Sequence, residues 1–203
     1  MKKMNCRSIT VLAALISALA LQWSAQAAEP TAFALITEGN RYVGEQAKDK
    51  IVQLRSEKSI GTLTPTIWYV VYYDTTATLK AVEVKFGAGK MLTVKRPMRL
   101  LEPVFGGDTP LDRDKLKIDS DEAVKIALKE PLLQNLKMTA TQLKLEKAGE
   151  GVLGTEGGQA VWRVKLWAAK LRNPTKDADI GEVWVAALDG KIAKNDLHIN
   201  RVD

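Results

Sequence analysis

The side chains that most often carry catalytic chemistry are scarce in this sequence. The chain has one histidine, His198, near its carboxyl terminus and one cysteine, Cys6, near its amino terminus. A nucleophilic hydrolase needs a serine or cysteine placed against a proton acceptor, which is commonly histidine. His198 lacks such partners in the sequence, and no Gly-x-Ser-x-Gly turn is present. We therefore predict that the chain is not an enzyme and that His198 lies on or after a last strand.

Residues that could hold a metal ion or a cofactor are also few. Asp177-x-Asp179-x-Gly181 resembles the start of a calcium loop, but Leu188 occupies the position that should hold a bidentate glutamate. A structural zinc site needs more His and Cys ligands than this chain has. Glycine-rich loops of the kind that cradle phosphates are absent from the sequence. The sequence thus predicts no metal site and no cofactor, and it predicts a solvated loop around Asp177.

The amino terminus has the three-part pattern of a secretory signal peptide. Three basic residues precede an apolar run from Ile9 to Leu21, and small residues follow at 25 and 27. The run is too short for a membrane span, which needs about 20 apolar residues. We predict a signal peptide over residues 1–27, cleavage after Ala27, a periplasmic or secreted protein, and no stable membrane insertion.

Removal of this segment changes the charge and the redox chemistry of the chain. The 203 residues include 30 Lys and Arg against 24 Asp and Glu, which gives a net charge of +6. Three of the basic residues lie within 1–27, so the remaining 176 residues hold 27 against 24, or +3. This excess is too small to predict nucleic-acid binding. Because Cys6 is also removed, no internal disulfide can form, and stability must come from an apolar core.

The second half of the sequence resembles the first. Residues 67–73 correspond to 161–167, and the later Gly-Lys-Met at 89–91 corresponds to Gly-Lys-Ile at 190–192. Self-similarity on this scale indicates one supersecondary unit that is used twice. The second copy is longer around 171–177, where we expect an exposed loop.

Local patterns assign elements to the first unit. Apolar residues over 43–54 recur at helical spacing, and Asn40 is placed to cap the amino end of that helix. Runs of β-branched and aromatic residues predict strands over about 66–74, 79–86 and 91–94. The first unit is therefore predicted as one helix followed by at least three strands.

The second unit shows clearer helix signals. Asp119 can cap a helix that ends before Pro131, and the alternation of Leu143 and Leu145 with charged residues indicates an added strand. We predict an α+β fold with two repeated units, each a helix packed on a small antiparallel β-sheet. The predicted first unit, linker and second unit are residues 28–102, 103–114 and 115–203.

Three features of the second unit resemble the PepSY family of extracytoplasmic domains. They are Ile118-Asp-Ser-Asp-Glu-Ala123 at the start of the helix, the Trp-x-Val strand at 162–164, and the strand that closes in Asp189-Gly-Lys-Ile192. The resemblance covers about 117–197 and, more weakly, about 44–94.

The PepSY resemblance carries implications for both fold and function. It implies helices packed on small antiparallel sheets, and tandem copies are similar in architecture to the β-lactamase inhibitor protein. Family members in the propeptides of thermolysin-type metallopeptidases are thought to hold the protease inactive, so the resemblance implies an inhibitor-like role. The family often has Val-Asp-Ala before its turn, whereas this chain has Ala186 and Lys85 at the two Asp positions.

Alternation along the predicted strands separates two faces of each sheet. The core-facing sets are Trp162, Val164 and Leu166 in the second unit and Trp68, Val70 and Tyr72 in the first. The opposite face of the first unit carries Ile67, Tyr69, Val71 and Tyr73. This apolar face needs a cover, because contiguous exposed apolar patches are uncommon in soluble monomers. The cover is the leading segment with Phe33 and Leu35, the second unit, or another molecule.

Aromatic residues interleaved with arginine are typical anchors of protein interfaces. On this basis the predicted partner-binding residues are Tyr69, Tyr73, Arg163, Trp167 and Trp184. We predict an exported, non-catalytic binding protein that docks a protein or peptide, with inhibition of an extracytoplasmic hydrolase as one form of that role. The alternative is a periplasmic carrier that holds a small apolar ligand between the two sheets.

Overall fold

The computed structural model describes residues 29–96, 109–149 and 158–202. The predicted signal peptide, with Cys6, and residues 103–108 of the predicted linker lie outside these ranges. The α-helices of the described ranges are α1 (Ala32–Gly39) and α2 (Ser120–Ala127). The strands are β1 (Ile51–Ser56), β2 (Ile67–Tyr73), β3 (Ala81–Gly87), β4 (Lys90–Lys95), β5 (Met138–Lys147), β6 (Ala160–Ala169), β7 (Asp177–Ala186) and β8 (Ile192–Leu197).

The eight strands form one antiparallel sheet, in the order β4-β3-β2-β1-β5-β6-β7-β8. The prediction of two repeated units, each a helix on its own small sheet, is therefore wrong. Strands β1 and β5 pair directly, with Leu54 opposite Leu145 and Arg55 opposite Lys144. This pairing satisfies backbone groups that two separate sheets would each leave at an edge. Buried residues from both halves of the sheet also belong to a single hydrophobic cluster.

The helix predicted over 43–54 is also wrong. Residues 45–47 form a short 3-10 turn, Asp49 has a φ of 59°, and β1 begins at Ile51. Asn40 follows the end of α1, and its side chain exchanges hydrogen bonds with Asp49. The helix of this half of the chain is α1, which lies before the predicted helix, at the start of the predicted first unit. Its buried residues have the i, i+3, i+4, i+7 spacing of one helical face: Ala32, Leu35, Ile36 and Gly39.

Helix α2 begins where the sequence predicted. Asp119 is its N-cap, and the Asp119 carboxylate accepts a hydrogen bond from the Ser120 amide at 2.6 Å. The same carboxylate accepts from the Phe33 amide at 3.1 Å, and Ser120 Oγ accepts from the Ala32 amide at 3.1 Å. The first amides of α1, which have no partner within their own helix, are thus satisfied by the start of α2.

The core lies between the two helices and one face of the sheet. Trp68 of β2 and Trp162 of β6 meet edge to face there, with ring centroids 6.5 Å apart. Their indole N–H groups donate to the carbonyls of Pro65 and Ile118. The predicted core-facing residues of both strands are buried in this cluster, so that part of the strand prediction is confirmed. We call this side of the sheet the helix-covered face.

The other side of the sheet is the helix-free face, because neither described helix packs against it. Its residues alternate along each strand with those of the core. Among the described residues, no helix has the length and apolar character that crossing a bilayer requires.

Candidate binding face

Neither of the two covers predicted from within the chain covers the helix-free face. Phe33 and Leu35 belong to α1 and pack into the core, and the second half of the chain extends the same sheet sideways. Long charged side chains of the face itself lie over the aromatic rings instead. Val71 is buried in a small cluster on this face with Val52, Ala81 and Tyr73.

Strand registers bring seven of the eight strands into one line across the helix-free face. Residues directly opposite each other in antiparallel strands point to the same side of a sheet. We call the line the central row; from β3 to β8 it consists of Lys85, Tyr69, Arg55, Lys144, Arg163, Trp184 and Lys194. Because neighbouring strands lie about 4.8 Å apart, the central row extends over roughly 29 Å.

Each aromatic ring of the central row lies between two cations. The Tyr69 ring has Arg55 at 4.4 Å from its centroid on one side and Lys85 at 5.0 Å on the other. The Trp184 ring has Arg163 at 4.9 Å and Lys194 at 5.4 Å. Cations at these distances are attracted by the electron-rich ring faces. The row therefore supports its own aromatic side chains, which are half-buried.

Carboxylates in the neighbouring rows pair with every cation of the central row. The pairs are Lys85–Glu57 (3.0 Å), Arg55–Glu83 (2.6 Å), Lys144–Glu146 (3.0 Å), Arg163–Glu146 (3.1 Å), Arg163–Glu182 (3.0 Å) and Lys194–Asp196 (3.2 Å). Glu146 is the most buried member, with only 3% of its side chain exposed, and it also accepts a hydrogen bond from Gln53. The helix-free face thus carries positive and negative side chains in neighbouring rows, and each ion pair limits the motion of the two side chains that form it.

Hydrogen bonds further fix the two rings. The Tyr69 hydroxyl donates to Glu57 Oε1 at 2.5 Å, and Trp184 Nε1 donates to Glu182 Oε1 at 2.7 Å. Burial and the bond to Glu57 raise the pKa of Tyr69. The same hydroxyl, followed by the Lys85 ammonium, lowers the pKa of Glu57. Tyr69 therefore stays a neutral donor and Glu57 stays a charged acceptor near neutral pH.

The structure brings most of the predicted partner-binding residues together. Tyr69, Arg163 and Trp184 all belong to the central row. Trp167 lies nearby on β6, and its ring has Lys58 at 4.7 Å and Lys165 at 5.3 Å from its centroid. Tyr73 stands apart, at the end of β2 beside the small apolar cluster.

Sequence reasoning missed the basic residues that complete the row: Lys85, Arg55, Lys144 and Lys194. Lys85 and Lys144 alternate with apolar residues in strands that the sequence predicts, so strand parity is a usable signal for both. Lys194 lies between Ala193 and Asn195, where the alternation is weak. Arg55 was hidden because residues 43–54 were assigned to a helix. The contact of Arg55 with Lys144 depends on the β1–β5 pairing, which no local pattern predicts.

A cavity of about 160 Å³ lies on the helix-free face over the seam between β1 and β5. The backbone ladder between the two strands stops here. The Leu143 amide donates to Ser56 Oγ at 2.9 Å, and the Gln142 side chain donates to the Ser56 carbonyl at 3.2 Å. Side chains thus take the place of a direct backbone pair beside the opening. We call it the seam cavity.

The residues considered for catalysis or metal binding have other partners. His198 directly follows β8, as predicted, and its Nε2 lies 3.3 Å from Asp196 Oδ1. Asp177 pairs with Lys58 at 2.5 Å and Asp179 with Lys165 at 2.8 Å. Within the three described ranges, no group of three His, Cys, Asp or Glu side chains converges as a metal site would require.

The apolar-carrier alternative places its ligand between two sheets, and the described residues form one. A cavity of about 100 Å³ lies beside Trp68, near the start of α2. Sites for drug-sized ligands usually have roughly 300 Å³ or more. That cavity is too small for such a ligand, and two larger cavities, of about 580 and 490 Å³, are bordered by charged side chains such as Lys147 and Lys137.

No protein-family model, curated protein or solved structure matches this chain. The resemblance to the PepSY family therefore rests on the sequence features at 118–123, 162–164 and 189–192 alone. The helix-on-small-sheet units that it implies are replaced by the continuous eight-stranded sheet.

Proposed function

We propose that this chain is an exported, non-catalytic binding protein that docks a protein or peptide partner on its helix-free face. The observation that carries the proposal is the central row, in which Tyr69 and Trp184 each lie between two cations. Tyr, Trp and Arg are the residues most enriched among energetic hot spots of interfaces. A role as an inhibitor of an extracytoplasmic hydrolase is the part of the proposal that rests on the PepSY resemblance.

Pre-organisation of the row supports binding through this face. Tyr69 and Trp184 are each held by two cations and by one hydrogen bond to a carboxylate. A side chain that is already ordered loses less conformational entropy on binding, which leaves more of the contact energy as affinity. A row roughly 29 Å long also matches the scale of a standard protein interface.

Site-specific photo-crosslinking in the source cells tests the proposal. A photoreactive amino acid is placed at Tyr69 or at Trp184 in the full chain. Matched controls carry it at Leu132 and Leu171, which are 50% and 67% exposed and lie in the turn after α2 and in the β6–β7 loop. We expect one discrete crosslinked partner from the two row positions and none from the controls. Equal crosslinking from all four positions, or from the controls alone, would contradict docking on this face.

Alanine variants then separate binding from folding. Tyr69, Tyr73, Trp167 and Trp184 are changed singly, and each variant is compared for partner capture and for thermal unfolding. We expect Tyr69→Ala and Trp184→Ala to weaken capture while the fold persists, and Tyr73→Ala to act mainly on stability through its apolar cluster. If every change lowers stability and none affects capture of the folded protein, the rings are structural.

The predicted export is tested by amino-terminal sequencing of the protein recovered from the cell envelope or the medium. We expect the mature chain to begin at Ala28. Recovery of a chain that begins at Met1 in the cytoplasm would contradict export and, with it, any extracytoplasmic partner.

A further inference from the structure

Three cations stand on adjacent strands at the middle of the central row. Arg55, Lys144 and Arg163 lie directly opposite one another on β1, β5 and β6. Like charges in directly opposite positions destabilise a sheet. Toward each end of the row an aromatic ring separates one cation from the next, but no ring separates these three. The carboxylates that pair with them among the described residues lie in the rows to either side and offset the repulsion from the flanks.

The seam cavity opens at this cluster of cations. The charged residues that line it are Arg55, Lys144, Arg163, Lys165 and Glu182. Four cations thus border the opening against one carboxylate. The other carboxylates that pair with these cations, Glu83, Glu146 and Asp179, do not line the cavity.

Arg55 retains donors for a ligand. Of its five N–H groups, the one hydrogen bond to a side chain within the described residues runs from Nη2 to Glu83. A guanidinium presents its donors in a planar fork that matches an oxyanion such as a carboxylate. A volume of about 160 Å³ accommodates one such head group with its first methylenes, and it is smaller than a typical drug-sized pocket of roughly 300 Å³ or more.

We propose that the seam cavity is an oxyanion site that receives the carboxylate of an acidic side chain of the docked partner. This inference rests on the proposed docking function, because the cavity lies in the middle of the helix-free face. The incoming carboxylate lies between Arg55 and Lys144 and neutralises the repulsion within the row. The partner is therefore a protein or peptide with an acidic residue at the centre of its contact surface.

Calorimetric titration of the full chain at constant ionic strength tests the site. The probes are a hexaglutamate peptide with both ends blocked and, separately, sodium sulfate. The first variant is Arg55→Gln with Glu83→Gln, which removes an ion pair without changing the net charge. The second is Lys144→Met, which leaves Glu146 paired with Arg163 and Gln53. The matched control is Lys125→Gln with Asp121→Asn, which removes an exposed ion pair of helix α2, away from the helix-free face.

We expect saturable binding of hexaglutamate that becomes about tenfold weaker in both seam variants, because each removes a charge-assisted contact. The control variant should bind within about twofold of the unchanged protein, since an exposed pair contributes little. Thermal unfolding shows whether each variant is folded, and either seam variant alone is sufficient for the comparison. Absence of saturable binding, equal weakening in the control, or saturation by sulfate with none by the peptide would overturn the proposal.

The crosslinking experiment separates this inference from the docking function. Partner capture that persists unchanged in both seam variants would overturn the oxyanion site and leave docking intact. Saturable, seam-dependent binding of hexaglutamate with no crosslinked partner from Tyr69 or Trp184 would overturn docking and leave an anion site.

Discussion

The two faces of the single sheet are built on different physical principles. The helix-covered face packs large apolar side chains from both halves of the chain around the Trp68–Trp162 pair. The helix-free face places aromatic rings between cations and pairs those cations with carboxylates. Burial of apolar area is the dominant favourable contribution to folding, whereas exposed ion pairs contribute little each. We therefore assign stability chiefly to the first face, and the proposed function uses the second for recognition.

Replacement of a core tryptophan should have the largest effect. Trp162 is fully buried, contacts the rings of Phe33 and Trp68, and donates its indole N–H to the Ile118 carbonyl. Trp162→Ala should lower the free energy of unfolding by about 3–5 kcal/mol through lost burial and a residual cavity. Denaturant titration measures this change. A loss no greater than that of Trp184→Ala would remove the distinction between the two faces.

The buried carboxylate of the helix-free face should come next. The Glu146 carboxylate accepts a hydrogen bond from Gln53 and pairs with Lys144 and Arg163. Its removal takes away one of the negative charges that neutralise these two cations. Glu146→Ala should cost about 2–3 kcal/mol, less than a fully buried pair because both cations are partly exposed. Glu146→Gln keeps the shape and some hydrogen bonds, so a smaller loss is expected. Equal denaturation curves for the unchanged protein and Glu146→Ala would show that the charged array is not structural.

The sequence alone predicts only part of the difference between the two faces. Strand parity correctly separated the core residues of β2 and β6 from Tyr69, Arg163 and Trp167, because the side-chain period of a strand is two. Asp119 was correctly placed as a helix cap for a similarly local reason. Signals of this kind depend on neighbours in the chain, and a single sequence displays them directly.

The errors came from features that local patterns do not determine. The spacing of apolar residues over 43–54 suits a helix, yet a 3-10 turn followed by β1 buries Ala47, Ile51 and Leu54 equally well. Helix α1 was overlooked because its short segment is apolar on most sides. The pairing of β1 with β5 is a contact between residues about 90 positions apart, and it alone turns two expected sheets into one.

Trp184→Ala should affect binding more than stability. The ring is half-buried and is held by two cations and by the Glu182 carboxylate. Cation–π contacts at exposed sites contribute about 0.5–1 kcal/mol, so the free energy of unfolding should fall by about 1 kcal/mol. Capture of the crosslinked partner should fall by about tenfold or more if the ring is a hot spot. If Trp184→Ala lowers the free energy of unfolding as much as Trp162→Ala does, Trp184 contributes to stability as a core residue does.

The smallest expected effect is a dependence on pH at Glu57. Its pKa is lowered in the folded protein by the Tyr69 hydroxyl and then by the Lys85 ammonium. A carboxyl group whose folded pKa is depressed stabilises the protein above its unfolded pKa of about 4.3, and this contribution is lost as the pH falls through the folded value. Because 45% of the Glu57 side chain is exposed, solvent screening limits the contribution to about 0.5 kcal/mol.

Denaturant titration of the unchanged protein and of Glu57→Gln, at several pH values from 6 down to 3, measures that dependence. The unchanged protein should be slightly more stable near pH 6, and the difference should shrink toward zero as the pH approaches 3. A difference that grows on acidification would mean that the carboxylate does not stabilise Tyr69 on the folded sheet. The Tyr69 ring would then be held by Arg55 and Lys85 without the Glu57 bond, and it would give up more conformational entropy on binding.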